Sequence, residues 1–322
     1  MATLTSVWPT FIDLAKTTKD NLILRSVDTI VQRNDIIAHV PWLEANGMTG
    51  HTYNRVLSHP SVSWTGLNEG VTATQGTTEQ RVADIKIVES LSEVPEKTLN
   101  IAPDPGAFRS NRDMYHVGAM ANAWADKYFN GDSSSDPKEP DGLANIMNAT
   151  STSGPYVLDN GGSATLSSIY AVDWGDGKNY AVHPRNHAAK GLQIEQRGKY
   201  KQLDDNSKHI WVWGTSFALY SAFVNEHPET LGRLANINTA SGGAGDFDED
   251  ALMELLSYFD DLSTVALYSN RALHYQISLA AKDKSNVSYG PNEAFGQTNV
   301  LQFQGVPLFR CDAISSAETA IS

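Results

Sequence analysis

Residues 49–94 read TGHTYNRVLSHPSVSWTGLNEGVTATQGTTEQRVADIKIVESLSEV. Tyr53, Arg55 and Leu57, then Val62 and Trp64, alternate loosely with polar neighbours. The run LNEGVTATQGTT follows, and Val82, Ile85, Ile87 and Val88 make a second β-rich run. Two strand-like runs around a glycine-bearing turn predict a long hairpin with Asn68, Glu69 and Gly70 at its tip. The stretch is polar nearly throughout, so it buries little against its own body. An isolated two-stranded ribbon is marginal in water. The hairpin is therefore expected to lie on another molecule, with a neighbouring subunit the natural candidate.

Upstream, residues 1–20 read as an irregular arm rich in Thr and Lys. Residues 20–40 place Ile23, Val27, Ile30, Val31 and Ile37 at helical spacing, and Pro41 ends that helix. Downstream, Met114, Val117, Ala121, Trp124 and Tyr128 recur at steps of three and four, which predicts a long helix over 104–130. The turn formers NGDSSSDPKEPDG then mark a domain boundary. Residues 143–300 mix strands and helices. YAVDWGDGKNYAVHP reads as a hairpin turning at Asp176-Gly177, HIWVWGTSFALYSAF as a strand, and DFDED as the cap of the helix ALMELLSYFDDL. VALYSN reads as a buried strand, RALHYQISLAAKD as a helix, and VLQFQGVPLFRCDAI as strand, Gly-Val-Pro turn, strand. The fold class is α+β.

The chain has 322 residues, 41% of them hydrophobic and 19% charged, which is globular composition. Its 37 acidic and 24 basic residues leave a net charge of -13. A broad basic face for gripping nucleic acid is not expected, although such a chain can wall nucleic acid in without contacts. The single cysteine, Cys311, rules out an intramolecular disulfide and a multi-thiolate metal site. No apolar run is long enough to span a membrane, and the N-terminus does not read as a secretory signal.

Several stretches resemble the major capsid proteins of tailed bacteriophages with the Hong Kong 97-like fold, closest to those of epsilon-fifteen-like short-tailed phages. NDIIAHVPWLEANGMTGH is similar to the family's helix, Pro-Trp turn and approach to its extended loop. PSVSWTGLNEGV and IVESLSEVPEKTLN are similar to the limbs of that loop. AFRSNRDMYHVGAMANAWADKYFNG resembles the spine helix, and ALYSNRALHYQISLAA with FQGVPLFRCDAI resembles the end of the axial domain and the closing strands. Residues 200–245 depart most from the family's pattern. The resemblance implies a chain laid out in six parts. Residues 1–20 are an N-terminal arm, 21–48 a peripheral-domain helix and turn, and 49–94 the extended loop. Residues 95–142 hold the spine helix and peripheral domain, 143–298 the axial domain, and 299–322 the closing strands of the peripheral domain.

The same resemblance implies a structural protein, not an enzyme, with no cofactor and no metal. Copies are expected to form pentamers and hexamers of an icosahedral shell around double-stranded DNA, without sequence-specific binding and without a membrane. The DNA-facing wall is expected to be acidic. Portal, scaffolding and decoration (cement) proteins are the expected partners. The expected location is the virion, with assembly in the host bacterial cytoplasm. The contacts between subunits are assigned to Tyr53, Arg55, Trp64, Asn68, Glu69, Gly70, Gln75 and Arg81 of the loop. Two alternative classes are an encapsulin-like shell around protein cargo and a soluble α+β hydrolase.

The chemical motifs favour plain readings. Asp246, Asp248 and Asp250 begin like a calcium loop, but Ala251 and Ser257 occupy the places needing glycine and a bidentate acid, so they cap a helix. His183 and His187 are separated by Pro184, which spoils a helical zinc pair. Gly214-Thr215-Ser216 lacks the closing glycine of a nucleophile elbow, and Gly198-Lys199 does not fit a phosphate loop. Cys311 reads as a small buried thiol, and the tryptophans as core or interface anchors.

Some members of the wider fold link a loop lysine covalently to a neighbour's asparagine. The loop here contains no lysine before Lys86, which sits in the returning strand. Boiled, reduced particles are expected to run on a denaturing gel as one band near the 35.1 kDa chain mass, and a ladder of oligomers would refute this.

Overall fold

The computed structural model describes residues 18–19, 22–23, 33–187, 191–203, 207–240, 245–283, 287–292 and 297–321. Contacts divide the chain into two units. One holds residues 1–32, 87–125 and 188–220, and the other 33–86, 126–187 and 221–322. The boundaries expected at 142/143 and 298/299 do not separate these units. Charge divides with them: the second unit carries 26 acidic and 13 basic residues, and the first carries 11 of each.

The second unit is built on a mixed seven-stranded sheet. Its strands are β7 (Tyr156–Asp159), β8 (Leu166–Asp173), β12 (Leu231–Asn238), β13 (Val265–Ser269), β14 (Val287–Asn292), β15 (Gln297–Phe303) and β16 (Val306–Arg310). Their spatial order is β14-β15-β16-β13-β8-β12-β7. Every residue of β8 is buried. Side chains alternate across a strand, so each face needs its own cover. Ile169 and Ala171 join Leu234, Leu267, Phe303 and Leu308 under two helices, α5 (Glu249–Ser257) and α6 (Arg271–Asp283). On the other register, Tyr170 packs against Phe129 with ring centroids 5.3 Å apart and the planes tilted by 50°.

The hairpin expected around Asp176-Gly177 is not formed. The turn is present, with Gly177 at φ 77°, but β8 has β12 on one edge and β13 on the other. The next strand, β9 (Asn179–His183), therefore pairs with residues 222–225 and with β3 (Trp42–Glu44) instead. The last hairpin also turns elsewhere than expected. Gln304 and Gly305 both have positive φ, as a two-residue turn requires, while Val306 and Pro307 already belong to β16.

Near its end the chain is fastened by an ion pair. Arg233 Nη2 donates to Glu318 Oε2 at 2.9 Å, and both side chains are buried. Arg233 also donates to the Met147 carbonyl at 2.6 Å and to Ser168 Oγ at 3.0 Å, while Ser168 and Tyr170 donate to the Glu318 carboxylate. His39, in the single turn α1 (Ile36–His39), is a second buried polar group. Trp174 Nε1 donates to the Tyr268 hydroxyl at 2.9 Å, and that hydroxyl lies 3.2 Å from His39 Nδ1. Burial disfavours the charged imidazolium, so the ring is neutral near pH 7. Burial pushes its pKa down to about 4, against a small opposing pull from Asp35.

The first unit contains β6 (Lys86–Pro95) from Ile87 onward, the short helix α2 (Glu96–Ile101), and a ribbon of β10 (Leu192–Leu203) with β11 (His209–Asn225). Val94, Leu99, Ala102 and Phe108 form its small core, with Trp213 packed against them. The long helix α3 (Pro105–Asn130) confirms the expected 104–130, at about 39 Å for 26 residues. Asp104 caps it by accepting from Ala107 N at 3.0 Å, and proline takes the first helical position. Gly131 ends it where a Cβ would lie 2.3 Å from the Pro140 carbonyl. Its apolar stripe is buried only in the second half: Met120, Trp124 and Tyr128 are buried, Met114 and Val117 exposed.

Of the helix expected over 20–40, Leu22–Ile23 is strand and Ile36–His39 is helical, while 24–32 lie outside the described residues. Most of the arm expected at 1–20 also lies outside them. Two stability outcomes follow from the buried polar groups. Glu318→Gln leaves Arg233 without its anion and is expected to lower unfolding stability by about 3 kcal/mol in denaturant titration, most of it recovered by a paired Arg233→Met, Glu318→Leu change. For His39 the folded pKa lies below the ordinary 6.5, so its contribution is intact above pH 6.5 and is lost as pH falls toward 4. His39→Gln should flatten that segment of the stability profile, and an unchanged slope would refute the assignment.

Candidate functional site: a hairpin with an exposed apolar tip

Of the hairpin expected over 49–94, residues 50–84 form one, whereas β6 (Lys86–Pro95), expected as part of its returning limb, pairs with β11 in another sheet. Strands β4 (Gly50–Ser58) and β5 (Thr77–Asp84) pair antiparallel, from Gly50 opposite Asp84 to Ser58 opposite Thr77. They form a two-stranded sheet of their own. Its root packs on the second unit: Tyr53, Ala83 and Ile85 lie against Tyr180, Val182, Ala222 and Val224. Burial raises the Tyr53 phenol above its ordinary range. The ribbon thus has more apolar surface at its root than its sequence suggests, because Tyr53 and Ala83 share one face.

Arg55 is also engaged within the subunit. Its Nε donates to the Glu226 carbonyl at 3.0 Å, and its Nη2 to the Asn225 carbonyl at 2.8 Å and to Asn225 Oδ1 at 3.0 Å. Burial lowers its pKa, with repulsion from Arg81 adding to the effect. Arg81 forms an exposed pair with Glu79 at 2.9 Å. A groove of about 1250 Å³ borders this root, lined by Arg55, Val56, His59, Arg81, Phe223 and Glu229 among others.

The tip is different. Residues 59–76 are not strand. They close on themselves: Thr74 Oγ1 donates to the Ser61 carbonyl at 2.7 Å, and Gly66 N donates to Glu69 Oε2 at 2.9 Å. Asn68, Glu69, Gly70 and Gln75 are exposed. So are Trp64 (103%), Leu67 (101%), Val62 (94%) and Val71 (69%). Of the eight assigned residues, the structure gathers Trp64, Asn68, Glu69, Gly70 and Gln75 in the free part. It keeps Tyr53 and Arg55 at the root, with Arg81 beside them. The sequence reading passed over Val62, Leu67 and Val71 as contact residues. Their signal was available as apolar residues inside a glycine- and threonine-rich turn region.

The chemical motifs take structural places. Asp248 caps α5 by accepting from Asp250 N. Asp173 binds Lys178 at 2.7 Å and Thr264 at 2.6 Å, while His183 Nδ1 lies 3.1 Å from the Pro184 carbonyl, so no acid-histidine dyad forms between them. Ser216 sits in β11 and accepts from Arg197 at 3.0 Å. Burial pushes the Cys311 thiol up to about 12. Among the described residues no group of three His, Cys, Asp or Glu side chains is placed to hold a metal ion. No described helix is long and apolar enough to cross a membrane.

Comparison with known proteins bears on this hairpin-bearing architecture. Over residues 18–322 the chain matches the family described as Major capsid protein GP7. Among solved structures it is similar to a chain of bacteriophage Epsilon15, at 20% identity and a TM-score of 0.75, covering 100% of this chain and 99% of that one. The capsid of bacteriophage JBD30 decorated with minor capsid protein trimers aligns at 11% identity and a TM-score of 0.49, over 94% and 98% of the two chains. The SrpI encapsulin of Synechococcus elongatus is a weaker likeness, at 10% identity and a TM-score of 0.46, over 68% and 91%. No curated protein sequence matches the chain significantly. The Epsilon15 likeness establishes the Hong Kong 97-like fold. The chain belongs to the family of the major capsid protein GP7, the subunits that build the icosahedral shell of tailed bacteriophages.

Proposed function

We propose that copies of this chain join through the hairpin, the tip of one copy resting on its neighbour within pentamers and hexamers. The observation that carries this reading is the exposure of Val62, Trp64, Leu67 and Val71. Exposed apolar side chains grouped on one surface mark interaction sites. Burying each yields about 1.5–3 kcal/mol before the cost of ordering the tip. Asn68, Glu69, Gly70, Gln75 and Arg81 supply the polar rim. Tyr53 and Arg55 support the ribbon from within its own subunit. In this reading residues 49–94 serve as the extended loop and 143–298 as the axial domain.

The net charge of -13 supports a wall that encloses double-stranded DNA without gripping it. Portal, scaffolding and cement proteins complete the proposed set of partners, with assembly in the bacterial cytoplasm and the virion as destination. A paired change, Trp64→Ser with Leu67→Ser, tests the contact. Both side chains are fully exposed, so subunit stability is expected to move by no more than about 0.5 kcal/mol. The yield of closed shells, read by sedimentation and electron microscopy, should collapse. Wild-type yields from the double variant would overturn the reading.

A further inference from the structure

Arg55 is the outermost polar tie between the hairpin and the body: nearer the root, His51 lies 3.2 Å from the Tyr180 hydroxyl and Thr52 N donates to Asn46 Oδ1 at 2.9 Å. The acceptors bonded to Arg55 are all neutral: the carbonyls of Asn225 and Glu226 and the Asn225 side-chain oxygen. They are themselves held in place. Asn225 Nδ2 donates to Asn179 Oδ1 at 2.7 Å and to the His227 carbonyl at 3.0 Å. Asn179 Nδ2 in turn donates to the Asp173 carbonyl at 2.9 Å and to Thr230 Oγ1 at 2.9 Å. The guanidinium is thus tied through Asn225 to a buried polar network.

Beyond Arg55, the hydrogen bonds of the described residues stay inside the hairpin: Ser58 with Thr77, Thr74 with Ser61, Gly66 with Glu69. Residues 56–79 therefore project as a lever whose last polar tie to the body is Arg55. Trp64 lies nine residues further on, a reach of up to about 30 Å at roughly 3.3 Å per residue. A tilt of about 10° at the root would move it by about 5 Å, beyond the 4.0–4.5 Å within which apolar side chains touch.

We infer that Arg55 is a positioning residue, which sets the direction of the hairpin so that its tip meets a second copy in register. This rests on the reading that the tip contacts another copy. The residue type fits the task. A planar guanidinium engages several fixed acceptors at once, whereas a lysine ammonium is a point charge on a flexible stem.

The test measures direction and assembly separately. Spin labels at Asn68→Cys and Asp260→Cys report the tip-to-body distance by pulsed electron resonance, and Cys311 is buried away from the reagent. Arg55→Ala and Arg55→Lys should each widen the distance distribution by about twofold or more, because neither restores the fork. Asn225→Ala, which keeps both carbonyl acceptors, should widen it less. In the unlabelled chain, Arg55→Ala should lower the yield of closed shells about tenfold while the subunit stays folded. A wild-type distance width in Arg55→Ala overturns the inference. Should Arg55→Ala fail to fold, Asn225→Ala decides in its place, and an unchanged width there overturns it likewise. Normal shells from the Trp64→Ser, Leu67→Ser chain would instead remove the contact reading, with the distance width still deciding the role of Arg55.

Discussion

Strand β8 is buried along its whole length, on both faces and both edges, and the second unit is organised by the need to satisfy it. Its edges are closed by β12 and β13, which complete the backbone hydrogen bonds that burial makes obligatory. One face is covered by α5 and α6, and on the other Tyr170 meets Phe129 at the end of α3. Because no edge is left open, the chain that leaves β8 at Trp174 cannot fold back on it. It crosses instead to β9, which supports the root of the hairpin through Tyr180 and Val182.

That route gives the hairpin two halves of opposite character. The near half is a short extension of the body, with Tyr53 in an apolar cluster and Arg55 bonded to the chain at Asn225 and Glu226. The far half presents apolar side chains to solvent and makes internal hydrogen bonds such as Thr74 with Ser61 and Gly66 with Glu69. Exposed apolar side chains such as Trp64 are the kind of surface at which proteins associate. A ribbon already ordered at its root loses less conformational entropy on meeting a partner than a floppy one would.

Much of this was legible in the residues. Spacing marked α3, and the turn formers from Asn130 onward marked its end. The acidic run before Ala251 was correctly a cap, the thiol of Cys311 is buried, and β13 and α6 lie where their patterns place them. The misreadings share one cause. Periodicity reports which residues face a core, but not which strand lies alongside. The segments around Asp176-Gly177 were both correctly strands, yet their pairing was decided by partners 40 to 98 residues away. Likewise Met114 and Val117 carry the apolar spacing of a buried face and lie exposed, because the pattern is silent on how far a covering element extends.

Composition and local pattern alone established an acidic α+β chain with a long helix and a polar hairpin, and the ordered resemblance pointed to the capsid family. Those properties depend on side-chain chemistry and on neighbours a few residues apart. Only the folded molecule decided that Arg55 faces inward to Asn225 and Glu226 while Trp64 faces outward. Both residues lie in one hairpin and both were assigned to the same contact. Their roles diverge because a side chain's partner is set by long-range packing, which brings residues 225 and 226 beside residue 55 and leaves residue 64 with nothing of its own chain to touch.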